Sequence, residues 1–154
     1  MRTVTAVVGV TLLLAGCAEE PAKETTGTSG TAWEGPPAAD ESGSIPVDTF
    51  NAFLETADPR LSTSPIRAAV EFVGYGEPLA LTTSVVLEKP SLEDVDEVTV
   101  TATSDGLPDD SVRAVRYVLE FEWGGHDWRL SAATLSQRCQ PGRGHQGFSP
   151  ELCI

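Results

Sequence analysis

A change of hydrophobic period near residue 79 most constrains the fold of this 154-residue chain. Apolar residues between Ile45 and Gly74 recur at helical spacing, whereas from Leu79 onward they alternate with polar residues. Alternation with a period of two is typical of a strand with one buried face, because successive side chains point to opposite sides of a sheet. Helices followed by a run of strands predict an α+β domain.

Four strands are predicted from this alternation. Apolar residues hold every second position from Val115 to Trp123, and the turn residues Gly124–Asp127 predict a tight connection to the last strand. The alternation of that strand slips near Ala133 and Leu135, which predicts a β-bulge or bend. Because the connections are short, an antiparallel meander is expected. The predicted strands begin near Leu79, Val98, Val115 and Trp128.

Two helices are predicted before the sheet. Asp48 is expected to cap the first, which ends at Asp58-Pro59 because the residue before a proline disfavours the helical conformation. Ser64 is expected to cap the second, with Pro65 at its first position and Gly74 at its end. The predicted apolar stripes are Phe50, Phe53, Leu54 and Ala57 in the first helix and Ile66, Ala69, Val70 and Val73 in the second.

This order of elements resembles the cone-shaped folds typified by cystatin and nuclear transport factor 2. The resemblance covers residues 46–140 and rests on element order alone. It implies two N-terminal helices packed on the apolar face of a curved four-stranded antiparallel sheet. Such folds often enclose a pocket between helix and sheet, but a fold does not determine a function.

The amino terminus has the pattern of an export signal. Arg2 precedes a mostly apolar stretch, Val4–Leu14, which is too short for a transmembrane helix of about 20 residues. Leu14-Ala15-Gly16-Cys17 at its end resembles the lipobox of bacterial lipoproteins. The resemblance implies a signal peptide over residues 1–16, cleavage before Cys17 and a diacylglycerol on its thiol, with acyl chains such as palmitate. An ordinary secretory peptide is the alternative.

A lipidated Cys17 would hold the chain at the extracytoplasmic face of the cell membrane, because two acyl chains anchor a protein stably. The segment that follows, Ala18–Ser44, is rich in Gly, Ser, Thr, Pro and acidic residues, which predicts a disordered linker. As a flexible coil it would reach about 30 Å. Trp33 is the exception and is expected to pack on the domain. The globular domain is predicted to span residues 45–154.

The charge balance limits the partners of the chain. The net charge is −13, with 23 acidic and 10 basic residues. Binding of nucleic acid needs clustered Lys and Arg, so it is not expected, and neither is docking on anionic lipid by charge alone. The expected partners are the membrane, through the lipid anchor, and either another envelope protein or a small apolar ligand.

Two cysteines remain once Cys17 is acylated. In an exported domain, Cys139 and Cys153 predict one disulfide, which closes a loop of about 15 residues and stabilises by about 3 kcal/mol in the chain-entropy model. The Cys-Gln-Pro-Gly-Arg-Gly-His-Gln run that starts at Cys139, taken with Trp128–Leu130, resembles the C-terminal signature of uncharacterised secreted actinobacterial and cyanobacterial proteins. This resemblance implies family membership and no mechanism.

The C-terminal loop also holds the only local basic cluster, Arg138, Arg143 and His145. Glycines beside these residues would allow backbone amides to converge on a phosphate or carboxylate, so the three residues are candidates for anion binding. The alternative is structural, with the glycines in tight turns and Arg143 paired with an acidic residue of the domain.

No catalytic residue, metal ligand or cofactor is assigned. His126-Asp127 lies in a predicted turn and lacks an activated Ser or Cys, and no His-Glu-x-x-His motif occurs. The acidic run Glu93–Glu97 lacks the turn glycine of a calcium loop. A non-catalytic binding or protein-interaction module is therefore favoured, and an enzyme of the cone-shaped fold with a pocket acid and histidine is the alternative. Four aromatic residues are assigned to the core: Tyr117, Phe121, Trp123 and Trp128.

Overall fold

A four-stranded antiparallel sheet follows three helices in the computed structural model, which describes residues 32–74, 80–91 and 96–154. The strands lie in sequence order, β1-β2-β3-β4, and each neighbouring pair is antiparallel. The predicted α+β class and the meander are confirmed. The elements are α1 (Asp48–Thr56), α2 (Pro59–Ser62), α3 (Pro65–Val73), β1 (Thr82–Glu88), β2 (Glu97–Asp105), β3 (Val112–Trp123) and β4 (Trp128–Cys139).

The helix boundaries agree with the sequence except at the first cap. Asp48 is the first residue of α1, and Val47 precedes it without a side-chain cap, so the predicted capping role of Asp48 is wrong. The residues between the two predicted helices form α2, capped by the Asp58 carboxylate, which accepts from Arg60 N–H at 2.9 Å. A helix of four residues is too short to show a hydrophobic period. No helix among the described residues is long and apolar enough to cross a membrane.

The third helix begins and ends as predicted but buries a different face. Ser64 Oγ accepts from the N–H of Arg67, and Gly74 ends the helix in the left-handed conformation at φ +67°. Ile66 is 44% exposed and Val70 is 38% exposed, so their assignment to the buried stripe is wrong. The buried positions of α3 are held by one large residue, Phe72, and by smaller residues of the same helix, which let the helix approach the sheet closely. These residues are Pro65, Ala68, Ala69 and Phe72.

The core joins the helices to one face of the sheet, hereafter the inner face. Val98 pairs with Phe121 and Val100 with Leu119 across the two central strands, as the alternation predicts. The predicted irregularity of β4 is a β-bulge at Ser131, because Leu130 pairs with Phe121 and Ala132 with Glu120. The buried core residues are Ile45, Phe50, Leu54, Ala68, Ala69, Phe72, Val98, Val100, Leu119, Phe121, Leu130 and Ala133.

The free edge of β4 is covered by other parts of the domain. The side chain of Asn51 in α1 takes the place of a neighbouring strand at Leu130, because it accepts from Leu130 N–H at 3.0 Å and donates to Leu130 O at 2.9 Å. This edge is therefore closed along most of its length. The other backbone bonds that close it join Gly43 to Leu135, Ile45 to Ala133, Ser149 to Gln137 and His145 to Cys139.

Candidate functional site

Trp33 occupies a slot between α1 and α3. Its ring centroid lies 4.9 Å from that of Phe50, 5.7 Å from that of Phe53 and 5.9 Å from that of Phe72. Its Nε1–H donates to Phe72 O at 2.9 Å. The indole is thus both packed and hydrogen-bonded, which is how a buried tryptophan satisfies its polar group. The side chain of Trp33 therefore packs on the domain, as predicted for this one residue of the linker-like segment.

The N-terminal segment around Trp33 belongs to the same folded unit. Residues 32–44 were assigned to the linker by composition, yet Trp33 and Ala39 pack against the core. Asp40 orders a turn by accepting from Ser42 and Ser44, and these hydrogen bonds lower the pKa of its carboxyl. The sequence-based boundary at Ile45 therefore divides one packed segment. Its Gly, Pro and Ser content predicts a coil, and only the single indole indicates otherwise.

Two cavities flank Trp33 in the groove between α1 and α3. The cavity on the α1 side has a volume of about 620 Å³ and is lined by Pro37, Ala52 and Phe53 among others. The cavity on the α3 side has a volume of about 590 Å³ and is lined by Val70 and Val73 among others. Both cavities are open to solvent, and acidic residues line each of them, Glu34 on both sides and Glu71 on the α3 side. The more apolar α1 side of the groove is therefore the candidate site for an apolar ligand.

The candidate anion-binding residues have separate surroundings. Arg138 Nη2 lies 2.5 Å from Asp105 Oδ2, and Arg113 Nε lies 3.4 Å from Asp105 Oδ1. The hydrogen bond from Arg138 lowers the pKa of the Asp105 carboxyl, which supplies the arginine with a counter-ion. Arg143 is exposed, and its backbone N–H donates to Gln140 O at 2.9 Å. Anion binding by Arg138, Arg143 and His145 stays a prediction.

His145 lies with both ring nitrogens against carbonyl oxygens of its own loop. Nε2 is 2.9 Å from Glu151 O, and Nδ1 is 2.8 Å from Gly147 O. A carbonyl oxygen only accepts, so both contacts are hydrogen bonds only when both nitrogens carry protons. The contact with Glu151, followed by that with Gly147, raises the pKa of His145 above its ordinary value of 6.5. His145 thus holds the loop together rather than presenting a free nitrogen.

Cys139 and Cys153 form the predicted disulfide, with their Cα atoms 5.4 Å apart. The two sulfurs and a ring nitrogen of His145 lie within 4.8 Å of one another, and all three are atom types that bind metals. Cysteine binds metal as the thiolate, however, and a disulfide has no thiolate to offer. With the bond formed, this cluster is a structural staple.

Aromatic and arginine side chains attach the loop to the outer face of the sheet, which is opposite the helices. The guanidinium of Arg116 lies 3.8 Å from the centre of the Phe148 ring, and that of Arg138 lies 5.4 Å from it. A cation over an aromatic face stabilises by about 0.5–2 kcal/mol. The sequence alternation places Arg116 on this outer face but gives no sign of Phe148 as its partner.

The other candidates from the sequence form no catalytic arrangement among the described residues. His126 Nε2 lies 3.6 Å from Asp127 Oδ1 in the β3–β4 turn, where the His126 side chain is 85% exposed. Trp123 and Trp128 contact each other across that hairpin with tilted rings and centroids 5.3 Å apart, as expected for cross-strand packing, but of the two only Trp128 packs against the core. Three features lie wholly or partly outside the described residues: Cys17, Gly74-Tyr75-Gly76 and Glu93–Glu97.

Sequence reasoning missed an acidic corner on the outer face. Glu97 lies directly opposite Glu122, while Glu88 and Glu120 flank Thr99 in the next row. These four glutamates line one cavity of about 390 Å³. Of the ion pairs between described residues, none involves them. The sequence shows the glutamates only as polar residues at alternate strand positions. Their proximity becomes apparent only when the register of the three strands is known.

Comparison with known proteins identifies no relative of this chain. No family model, no curated protein and no solved structure matches the chain. The functional conclusions below therefore rest on the geometry and the chemistry of this chain.

Proposed function

We propose that this chain is a lipoprotein anchored to the outer face of the cell membrane through Cys17, and that its folded domain is a non-catalytic binding or protein-interaction module. The lipobox-like run Leu14-Ala15-Gly16-Cys17 carries the proposal. The Cys139–Cys153 disulfide supports it, because structural disulfides persist mainly in oxidising compartments outside the cytoplasm.

A binding role is supported by the groove between α1 and α3. The wall on the α1 side is largely apolar, whereas Glu71 lines the α3 side. Trp33 shows how an aromatic group is held between the two helices, by ring contacts and by a hydrogen bond to Phe72 O.

We further propose that the domain is a variant of the cone-shaped fold of cystatin and nuclear transport factor 2. The support is the order of elements, helices and then a four-stranded antiparallel meander. In this variant the space between helix and sheet is filled by Phe50, Phe72 and Phe121, which are fully buried. The ligand groove therefore lies beside Trp33, outside the cone.

The experiment that tests the proposal is membrane fractionation of the Cys17→Ser variant in a bacterial host. We expect the native chain in the membrane fraction and the variant released from it, since a signal peptide alone gives no lasting anchor. Mass spectrometry of the N-terminal peptide should show a diacylglycerol on Cys17 in the native chain. Cys153→Ser is the matched control and should remain in the membrane fraction. Retention of Cys17→Ser in the membrane fraction would refute lipid anchoring.

A further inference from the structure

We propose that the open edge of β1 binds an extended, positively charged segment of a partner protein, which adds to the sheet as a fifth strand with its cationic side chain in the acidic corner. This inference deepens the proposed interaction role and rests on it. Addition of a strand to a sheet edge is a general mode of peptide recognition, in which main-chain hydrogen bonds provide affinity and side-chain pockets provide specificity.

The two edges of the sheet differ in whether their outward backbone groups have hydrogen-bond partners. Along β4, Asn51, the Gly43–Ile45 segment and Ser149 satisfy the outward backbone groups. Along β1, no hydrogen bond from the described residues reaches the outward side. An unpaired row of N–H and C=O groups is a template for another strand. Among the residues that the structure describes, only the β1 edge of the sheet therefore lacks backbone partners.

The register identifies the backbone groups that a partner strand would meet. Trp123 N–H donates to Asp96 O at 2.7 Å, so the odd-numbered residues of β3 and the even-numbered residues of β2 bond to each other. Antiparallel strands alternate between residues that bond to one neighbour and residues that face the other side. The odd-numbered residues of β2 and the even-numbered residues of β1 therefore bond to each other. The residues of β1 whose backbone groups face outward are Thr83, Val85 and Leu87.

The composition of β1 leaves this edge without the usual protection. Natural sheets block open edges with lysine, proline or bulges, but Lys89 and Pro90 come only after the strand ends. Val86 is 50% exposed, and Leu81 just before the strand is 86% exposed. Exposed apolar side chains beside unpaired backbone groups are suited to contact with a second strand.

The charge of the nearby surface specifies the partner. Glu88 lies on β1 itself, and Glu120 lies two strands away on the same outer face, with the small Thr99 between them. Lys89 lines the cavity of the acidic corner, but none of the ion pairs between described residues joins it to the four glutamates there. An arginine or lysine of an added strand can extend over β1 and place a further positive charge above Thr99, between Glu88 and Glu120. A second copy is disfavoured, because each chain carries a net charge of −13.

The test is a peptide titration followed by NMR. The probe is a capped seven-residue peptide of alternating threonine and valine with arginine at both ends, which matches the seven residues of β1. The target is the exported, ¹⁵N-labelled full chain carrying Cys17→Ser. We expect amide shifts at Thr83, Val85 and Leu87. A peptide with glutamate in place of arginine should bind at least about tenfold more weakly, since like charges repel at the acidic corner.

Thr83→Pro is the diagnostic variant, because it removes an outward N–H while the bonds of β1 to β2 remain. We expect it to weaken binding of the arginine peptide about tenfold, whereas Thr83→Ala, which keeps the N–H, should bind normally. Val85→Pro serves the same purpose if the Thr83→Pro spectrum shows loss of the fold. Glu120→Gln should lower the affinity for the arginine peptide, but it should not lower the affinity for the glutamate peptide.

Three outcomes overturn the inference. The first is the absence of β1 shifts at millimolar peptide, and the second is equal binding of both peptides. The third is a concentration-dependent shift at β1 without peptide that Thr83→Pro abolishes, which would identify a second copy as the occupant. Release of Cys17→Ser from membranes is measured separately, so the edge inference can fail while lipid anchoring stands. Conversely, if Cys17→Ser stays in the membrane fraction but the arginine peptide still binds, lipid anchoring is refuted and the edge inference stands.

Discussion

Trp33 is the residue on which the packing of the N-terminal segment depends. We expect Trp33→Ala to lower the free energy of unfolding by about 3 kcal/mol, at the low end of roughly 3–5 kcal/mol for aromatic-to-alanine changes because the indole is half-buried. Trp33→Phe should cost less, since ring contacts with Phe50 and Phe72 remain and only the hydrogen bond to Phe72 O is lost. Urea denaturation followed by far-ultraviolet circular dichroism measures both.

The matched control for this measurement is Leu152→Ala, because Leu152 is largely exposed and its truncation removes little buried surface. Equal stability of Trp33→Ala and Leu152→Ala would show that the indole does not hold the segment on the domain.

His145 makes the C-terminal loop sensitive to pH. Its pKa in the folded chain is raised above 6.5, so the protonated ring is favoured by folding. This contribution is fully present below pH 6.5, the value for the unfolded chain, and is lost as the pH rises through the higher folded value. We expect the melting temperature of the native chain to fall over that interval relative to His145→Gln.

A direct measurement comes from the ring protons of His145 and His126, which NMR resolves during a pH titration. The His145 midpoint should lie above 6.5. A midpoint at or below that value, or identical stability profiles for the native chain and His145→Gln, would contradict protonation on both nitrogens.

Residues whose roles are local were predictable from the sequence. Ser64 and Gly74 act on their own helix ends through side-chain and backbone bonds, so their identity and position were sufficient. The exposure of Ile66 and Val70 was not predictable, because Phe72 and the alanines beside it determine which face of α3 meets the sheet. These residues are buried because they face the sheet residues of the core, which are distant in sequence and which the helical period alone does not encode.

At the scale of elements, the disulfide loop shows how a segment with little apolar surface is kept in place. We expect reduction of the Cys139–Cys153 bond to lower the free energy of unfolding by about 3 kcal/mol, since a freed loop of this length regains its chain entropy. Denaturation with and without a reductant measures this, and the double variant Cys139→Ala, Cys153→Ala is the control that no reductant should affect. An unchanged midpoint on reduction would contradict a structural role.

The strands were recognisable from alternation, because the period of two is a property of each strand alone. Their pairing was not recognisable. Glu97 meets Glu122, and Glu88 and Glu120 share Thr99, only because three strands align at one register. The acidic corner is therefore a product of long-range pairing. The same reasoning explains Asn51, whose partner Leu130 lies 79 residues away.

At the scale of the whole molecule, the docking of Trp33 changes the geometry of the proposed anchor. A coil from Cys17 to Ser44 would reach about 30 Å, whereas the fifteen residues between Cys17 and Trp33 reach about 20 Å. The domain would thus stay closer to the membrane than composition suggests. The β1 edge would be held within reach of other proteins on the same surface.

Closure of the β4 edge also sets a limit on growth. A sheet with two free edges can accept a strand on each side, so its copies can join end to end into a fibre. Among the described residues, only the β1 edge has backbone groups free to pair with another strand, because segments of the same chain occupy the β4 edge. Two copies that paired through their β1 edges would therefore leave no unpaired edge for a third copy. A molecule crowded at high local density on a surface is thereby protected from runaway assembly.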